Sequence, residues 1–287
     1  MLNAIVQGIL LGGLYALFAA GLSLVFGVMR IVNLAHGDLA LVGAFLAFAL
    51  VDRLALHPFV TLLVVVPALA ATGFALQAGV LNHTLRGGEL PPLLATFGLA
   101  IVLQNVIQEA FSADQRGLDA GAIENSSISL GGDVAIGWLP LLTLVIAAAV
   151  IVAMYLLLGR TQLGRAFRAA SDDPEAAEVV GIDQRKLYAV TTAIALATVG
   201  VAGVLLGIRT SFGPTDGAAQ LIFAFEAVII GGLGNLWGTL VGGIVLGVAQ
   251  TVGAQIDPAY GVLAGHVVFL VVLVLRPTGL FPKTVPA

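Results

Sequence analysis

The chain has 287 residues, of which 59% are hydrophobic and only 10% charged, and its mean hydropathy is +1.07. Soluble domains carry roughly 25% charged residues, so a soluble fold is excluded, and a net charge of -4 rests on too few groups to direct a partner. With no cysteine there is no disulfide, thiol catalysis or cysteine metal site, and without a basic patch outside the loops no nucleic-acid partner is expected.

The first apolar run covers 4–26, with no Lys or Arg ahead of it. A cleavable signal peptide needs a positive leading region, so this helix is expected to be retained, with its N-terminus outside the cytoplasm. Its Gly12, Gly13, Ala16, Ala20 and Gly21 form a small-residue surface suited to close helix packing in lipid. Further spans are expected at 32–51, 58–81, 91–111, 138–158, 188–208 and 259–275, each near the 20 apolar residues a bilayer requires. The run at 218–253 is too long for one crossing. Roughly 36 residues of helix extend about 54 Å, against a hydrocarbon core of about 30 Å. A break is expected at Gly231-Gly232-Leu233-Gly234-Asn235, giving either two crossings or a re-entrant helix, and eight or nine spans in total.

Nine spans place Arg30, Arg86, Arg160, Arg165, Arg168, Arg185, Lys186, Arg276 and Lys283 on one side, and only Arg53, Arg116 and Arg209 on the other. The positive-inside tendency then puts the C-terminus and the loop 159–186 in the cytoplasm, and the loop 112–137 outside. Within the outer loop, 127–136 alternates around Gly131-Gly132 and predicts a small hairpin. The chain therefore reads as a single all-α transmembrane domain over 1–287, a polytopic helical bundle with short cytoplasmic helices.

The segment 159–186 is the one charged island, holding five of the twelve Lys and Arg and five of the sixteen Asp and Glu. Thr161–Ala170 predicts a short helix with Leu163 and Phe167 on one side and Arg165 and Arg168 available to acids. A second helix follows: Asp173 caps it, Pro174 suits its first position, Glu175 and Glu178 complement its dipole, and Gly181 stops it. About two turns do not persist alone, so this helix needs a surface. It either packs on the chain's own helices as an ordinary positive-inside loop, or inserts into a nucleotide-binding protein as a coupling element.

Polar groups inside apolar spans are costly and point to function. Asn33, His36 and Asp38 predict an irregular start to the second span, lining a path or capping a helix. Thr96, Gln104, Asn105 and Gln108 mark the fourth span for interhelical hydrogen bonds or path lining. Glu226 either lines the path or binds backbone donors at the Gly-rich break, and Asn235 belongs to that break. His266 reads as a hydrogen-bonded packing residue. The candidate path residues are thus Asn33, His36, Asp38, Thr96, Glu226 and Asn235. The four histidines, 36, 57, 83 and 266, have no zinc spacing, so no metal is expected, and no paired nucleophile and base emerges.

Three motifs, in order, carry a family resemblance. Thr161-x-x-Gly164-Arg165-Ala166-x-Arg168-Ala169, with Asp173-Pro174-Glu175-Ala176-Ala177 and Gly181-Ile182, resembles the EAA-type loop of the branched-chain amino acid ABC transporter permease family (LivH/LivM type). Gly27–Asp38 and Phe225–Gly238 are similar to that family's N-terminal and C-terminal signatures. The loop departs from smaller classical importers, since no Ile-x-Leu-Pro element follows Gly181. The resemblance implies a permease subunit of an ATP-driven importer in a bacterial-type inner membrane. Its partners would be a second homologous permease, two cytoplasmic ATP-binding subunits carrying ATP and Mg, a periplasmic substrate-binding protein, and membrane lipid. The coupling residues it implies are Gly164, Arg165, Arg168, Asp173, Pro174, Glu175, Ala176, Ala177 and Gly181. The chain itself lacks a Gly-x-x-x-x-Gly-Lys-Ser/Thr loop, so ATP hydrolysis is expected in a separate subunit, with no cofactor bound here. Urea and short amides stand beside branched-chain amino acids as substrates. A stand-alone secondary transporter or channel is the rival class, and permease pairing as a homodimer or heterodimer stays open.

Overall fold

A computed structural model describes residues 1–85, 88, 90–129 and 134–281. The helices α1 (Leu2–Met29), α2 (His36–Leu54) and α3 (Pro58–Leu76) come first. A π-helical turn, Gln77–Leu81, leads from α3 into the short α4 (Asn82–Thr84), and α5 (Leu90–Phe111) follows. After α6 (Ala122–Asn125), β1 (Ser127–Ser129) pairs antiparallel with β2 (Ala135–Gly137), Ile128 opposite Ile136. The two strands of the expected hairpin pair, and residues 130–133 between them lie outside the described residues. Then come α7 (Trp138–Arg160), α8 (Gln162–Asp172), α9 (Pro174–Val179), α10 (Gln184–Arg209), α11 (Gly217–Gly231), α12 (Leu236–Ile256) and α13 (Tyr260–Leu275). Among the described residues, six helices are long and apolar enough to cross a membrane, and α11 and α13 are shorter apolar helices.

Buried through most of its length, α1 forms the axis of the bundle. Its glycines lie against α12 in antiparallel order. A Cβ on Gly8 would meet Val248, one on Gly12 would meet Ile244, and one on Gly243 would meet Gly12 and Ala16. Gly13 faces Leu144 of α7, and Gly21 faces Ala195 and Thr198 of α10. The small-residue surface expected on the first helix is therefore its packing face, where dispersion contacts replace the missing hydrophobic drive.

One span begins deeper than expected. The second span was placed from 32, but α2 starts at His36, deep in the bundle. His36 lies beside Phe18 and Gly21 of α1. Phe18 is eleven residues before the end of α1, which corresponds to about 16 Å of helix. Residues 30–35 fold back along α1 to reach this depth. Arg30 takes a left-handed conformation (φ 56°), and the Asn33 Oδ1 accepts the Ala35 N–H at 3.0 Å. The 218–253 run breaks where the glycines predicted. Gly232 (φ 107°) and Gly234 (φ 77°) form the turn, and α11 and α12 pack as an antiparallel hairpin through Gly231 against Gly238 and Ala227 against Gly242. With 15 residues, α11 spans only about 22 Å. The chain reaches its start through a segment pinned by Phe212, whose N–H and C=O bond the C=O and N–H of Arg116 at 2.8 and 2.9 Å.

The π turn is held by α10. Gln77 donates to Asn82 Oδ1 (3.0 Å) and accepts from Thr192 Oγ1 (2.8 Å), and Asn82 donates to the Arg185 carbonyl (3.1 Å). Cationic residues sort to the two ends of the bundle. Arg30 reaches the Ser171 carbonyl at the end carrying α8 and α9, while Arg53 and Arg116 share a cleft with Asp52 and Ser112 at the other. Arg86 and Lys283 lie outside the described residues.

Candidate functional site

The charged island folds as two helices at one end of the bundle. Thr161 Oγ1 accepts the Gly164 N–H (3.1 Å) and starts α8. Leu163 is half-buried and Phe167 fully buried, while Arg165 stays exposed. Arg168 does not wait for an acid: its Nη1 donates to the Leu158 carbonyl. Gly164 is pressed against the end of α7, where a Cβ would overlap the Leu158 backbone. These contacts tie α8 mechanically to α7. A mostly apolar cavity of about 350 Å³ lies between α8 and the ends of α1, α7 and α12, with Phe167, Tyr155 and Trp237 among its walls.

Asp173 caps α9 as expected, accepting the Ala176 N–H at 3.0 Å, with Pro174 in the first turn and Gly181 left-handed (φ 90°). Ala177 is buried, which seats the helix, whereas Glu175, Ala176 and Glu178 face outward. Beyond them Val179 is 88% exposed and Val180 75% exposed. Asp183 then caps α10 by accepting the Lys186 N–H (3.1 Å), and it pairs with the Lys186 ammonium at 3.3 Å. That backbone hydrogen bond, helped by the ammonium, holds the Asp183 carboxyl below its usual range.

The path candidates fall into three places. Asn33, His36, Asp38 and Thr96 come together at the deep start of α2. His36 Nε2 donates to the Phe18 carbonyl (2.9 Å), and the Leu34 N–H donates to Thr96 Oγ1 (3.1 Å). Asp38 Oδ1 accepts from Gln104 Nε2 at 2.9 Å. The interhelical role expected of Gln104 is thus met, whereas Gln108 is exposed and Asn105 only bonds back to its own helix. Asn235 caps α12 through the Gly238 N–H (3.0 Å) and donates to the Phe281 carbonyl (3.0 Å), so it builds the break. Glu226 does not bind backbone at that break. It is buried and paired with His266, Nδ1 to Oε1 2.5 Å, across α11 and α13. At the break the Ile230 and Gly231 carbonyls accept the Leu280 and Phe281 N–H groups at 2.8 and 3.1 Å.

Sequence reading missed Tyr15, Arg209 and Gln250. Tyr15 donates to Gln250 Oε1 at 2.5 Å in the bundle interior, and Arg209 has its Nη1 buried. Gln250 was findable as a polar residue inside an apolar helix. Arg209 was counted as a loop charge.

The model of the family described as "Branched-chain amino acid transport system / permease component" matches residues 4–275. The chain belongs to this permease family. The permease is 31% identical over 296 residues to the high-affinity branched-chain amino acid transport system permease protein BraD of Pseudomonas aeruginosa, covering 98% of this chain and 96% of that one. It is 27% identical to LivH of Escherichia coli K12 (98% and 96% covered) and 25% identical to LivM of the same strain (95% and 69%). A solved structure titled "PsaBC from Streptococcus pneumoniae in complex with Fab" aligns with a TM-score of 0.49 at 18% identity, covering 96% of this chain and 92% of that one. The permease is a multi-pass membrane protein, all-α in its transmembrane fold, and its role is transport.

Proposed function

We propose that this permease is a membrane subunit of an ATP-driven importer, and that it forms half of the translocation path for branched-chain or related small amino acids. The observation that carries the reading is the α8–α9 unit: a capped, seated pair of helices ending in the two exposed valines Val179 and Val180. Exposed valines on a short helix are unfavourable in water and gain by docking. Two ATP-binding subunits would receive this unit from the cytoplasm, with ATP and Mg held there. Their movement would pass through Gly164 and Arg168 to α7. A second permease would complete the path, and a binding protein would deliver substrate at the opposite end, near the loop 112–137. The clustering of Arg30, Arg160, Arg165, Arg185 and Lys186 at the α8–α9 end supports placing that end and the C-terminus in the cytoplasm.

The test is reconstitution of the chain with an ATPase, a second permease and a binding protein of the same family from its own genome. ATP-dependent uptake of L-leucine, and not of urea or acetamide, is the expected result. Uptake at full rate without ATPase subunits, driven by a proton or sodium gradient, would replace this reading with that of a stand-alone transporter.

A further inference from the structure

The cavity of about 350 Å³ beside α8 has apolar walls and a cationic rim. Leu24 and Val28, in the last turns of α1, form its floor, and Phe167 of α8 and Leu236 of α12 close its sides. Native interiors hold few voids larger than a water molecule, and the lining of an empty one lacks contacts that an apolar occupant would supply. The cavity offers little to water. Asn235 turns its side chain to Gly238 and Phe281, and the Ser171 hydroxyl donates to the Gly27 carbonyl. The mouth lies between α7 and α12, where Tyr155 and Trp237 stand exposed with ring centroids 5.9 Å apart. Val152 and Leu156, beside Tyr155 on α7, are exposed as well, so this face is turned to lipid. Tyr155 lies five residues before the end of α7, about 8 Å along its axis, and Trp237 is the second residue of α12. Amphipathic rings at that depth belong to the membrane–water boundary.

Cations surround this mouth. Arg168 lines the cavity, Arg160 and Arg165 adjoin its lining residues Gly159 and Gly164, and Arg30 donates to the carbonyl of Ser171. No acid is among the lining residues. Asp172 and Asp173, which follow Ser171 in the chain, are exposed, and Asp173 caps α9. An apolar slot that opens to lipid beneath a cluster of guanidinium groups is complementary to a phospholipid of net negative charge. The phosphate gains charge-assisted hydrogen bonds, a chain fills the slot, and the basic cluster favours an anionic over a zwitterionic headgroup. We infer that this cavity binds one anionic phospholipid, with an acyl chain between α1, α7, α8 and α12 and the phosphate at Arg168. Because α8 forms one wall, the lipid would wedge the α8–α9 unit against the transmembrane helices. Assigning the site to the cytoplasmic leaflet rests on the orientation in the import reading, whereas the binding itself does not.

The chain has two tryptophans, Trp237 at the mouth and Trp138 at the opposite end of α7. The full chain carrying Trp138→Phe is placed in phosphatidylcholine nanodiscs, and brominated phosphatidylglycerol or brominated phosphatidylcholine is added in rising fractions. Bromine on an acyl chain quenches tryptophan on contact. Half-maximal quenching of Trp237 should need an at least about fivefold lower fraction of the glycerol lipid than of the choline lipid. Arg165→Gln with Arg168→Gln should bring that ratio close to one, and Arg168→Lys should retain it. Ser23→Leu adds apolar bulk to the lining and should reduce quenching by the glycerol lipid at an unchanged melting temperature. Val28→Phe fills the same space and replaces it if Ser23→Leu melts early. The reverse chain, Trp237→Phe with Trp138 kept, should show no preference between the lipids. Equal quenching of Trp237 by both lipids overturns the site. A preference undiminished in a folded, cavity-filled variant also overturns it, because the lipid then lies only around the protein. Nanodiscs present the same lipids on both faces, so the result does not depend on which end is cytoplasmic. Failure of ATP-dependent uptake would remove the import reading and leave this lipid site standing.

Discussion

Gly37 and Gly217 meet backbone to backbone: a Cβ on Gly37 would fall 1.9 Å from the Gly217 carbonyl oxygen, and one on Gly217 would fall 2.3 Å from Asp38 Oδ1. The deep start of α2 and the start of α11 are thus locked together by the absence of two side chains. Overpacking in a close-packed interior costs about 1–3 kcal/mol, and the obstacle is the Gly217 backbone for Gly37, and the Asp38 Cα with its buried, hydrogen-bonded carboxylate for Gly217. Gly37→Ala and Gly217→Ala should each lower the thermal midpoint in detergent and reduce monodisperse protein on fluorescence size exclusion. Gly98→Ala, in open space on α5, should do neither.

Asp38 and Gln104 join α2 to α5. Replacing Gln104 with Leu strands a buried carboxylate oxygen, and a loss of about 1–3 kcal/mol is expected. Asp38→Asn keeps a side-chain oxygen to accept from Gln104 and should cost less. The double variant Asp38→Leu with Gln104→Leu should be milder than the sum of its parts, since neither partner is then left unpaired. A thermal-unfolding cycle in one detergent checks the sign, and strictly additive losses would show that the pair is not coupled.

Val179 and Val180 separate docking from folding. Val179→Asp should leave expression and melting unchanged, because the side chain touches solvent. Substrate-stimulated ATPase of the reconstituted importer should nevertheless fall at least about tenfold if a partner pocket must accept that charge. Asp173→Ala, by contrast, removes the cap and should cost about 1 kcal/mol of local helix stability. An ATPase rate insensitive to Val179→Asp would remove α9 as the docking helix.

Asp183 gives the chain a pH-sensitive joint at the start of α10. Its folded pKa lies below the unfolded value, so its stabilising contribution is present above the unfolded pKa and is lost as pH falls through the folded one. Amide protection of Lys186, corrected for intrinsic exchange, should hold at about pH 5 and decline below the ordinary aspartate pKa of about 4. Asp183→Asn should flatten that dependence. The Asp183 side chain is about half exposed, so the effect stays local and global melting should not track it.

Much of the architecture was written in short-range chemistry. The Asp173 cap, the Pro174 start, the Gly181 stop and the break after Gly231 each depend on residues within a few positions, and each appears where the sequence places it. The small-residue face of α1 was legible for the same reason, since lipid leaves small side chains few other uses. The depth of His36 was not legible. It depends on residues 30–35 folding back along α1, and an apolar run looks the same whether its helix starts at the membrane surface or half-way in. The destiny of Arg168 was equally hidden, because a cation on the exposed face of a short helix can meet an acid, a lipid or, as here, the Leu158 carbonyl.

Composition and local pattern by themselves determined that this is a multi-pass helical membrane protein with a capped polar loop, because the cost of exposing backbone and charge to lipid permits little else. Tertiary structure alone decided which polar residues meet: Glu226 with His266, Tyr15 with Gln250, and Asp38 with Gln104. Those pairs join residues separated by 40 to 235 positions, and only the crossing of packed helices fixes who faces whom.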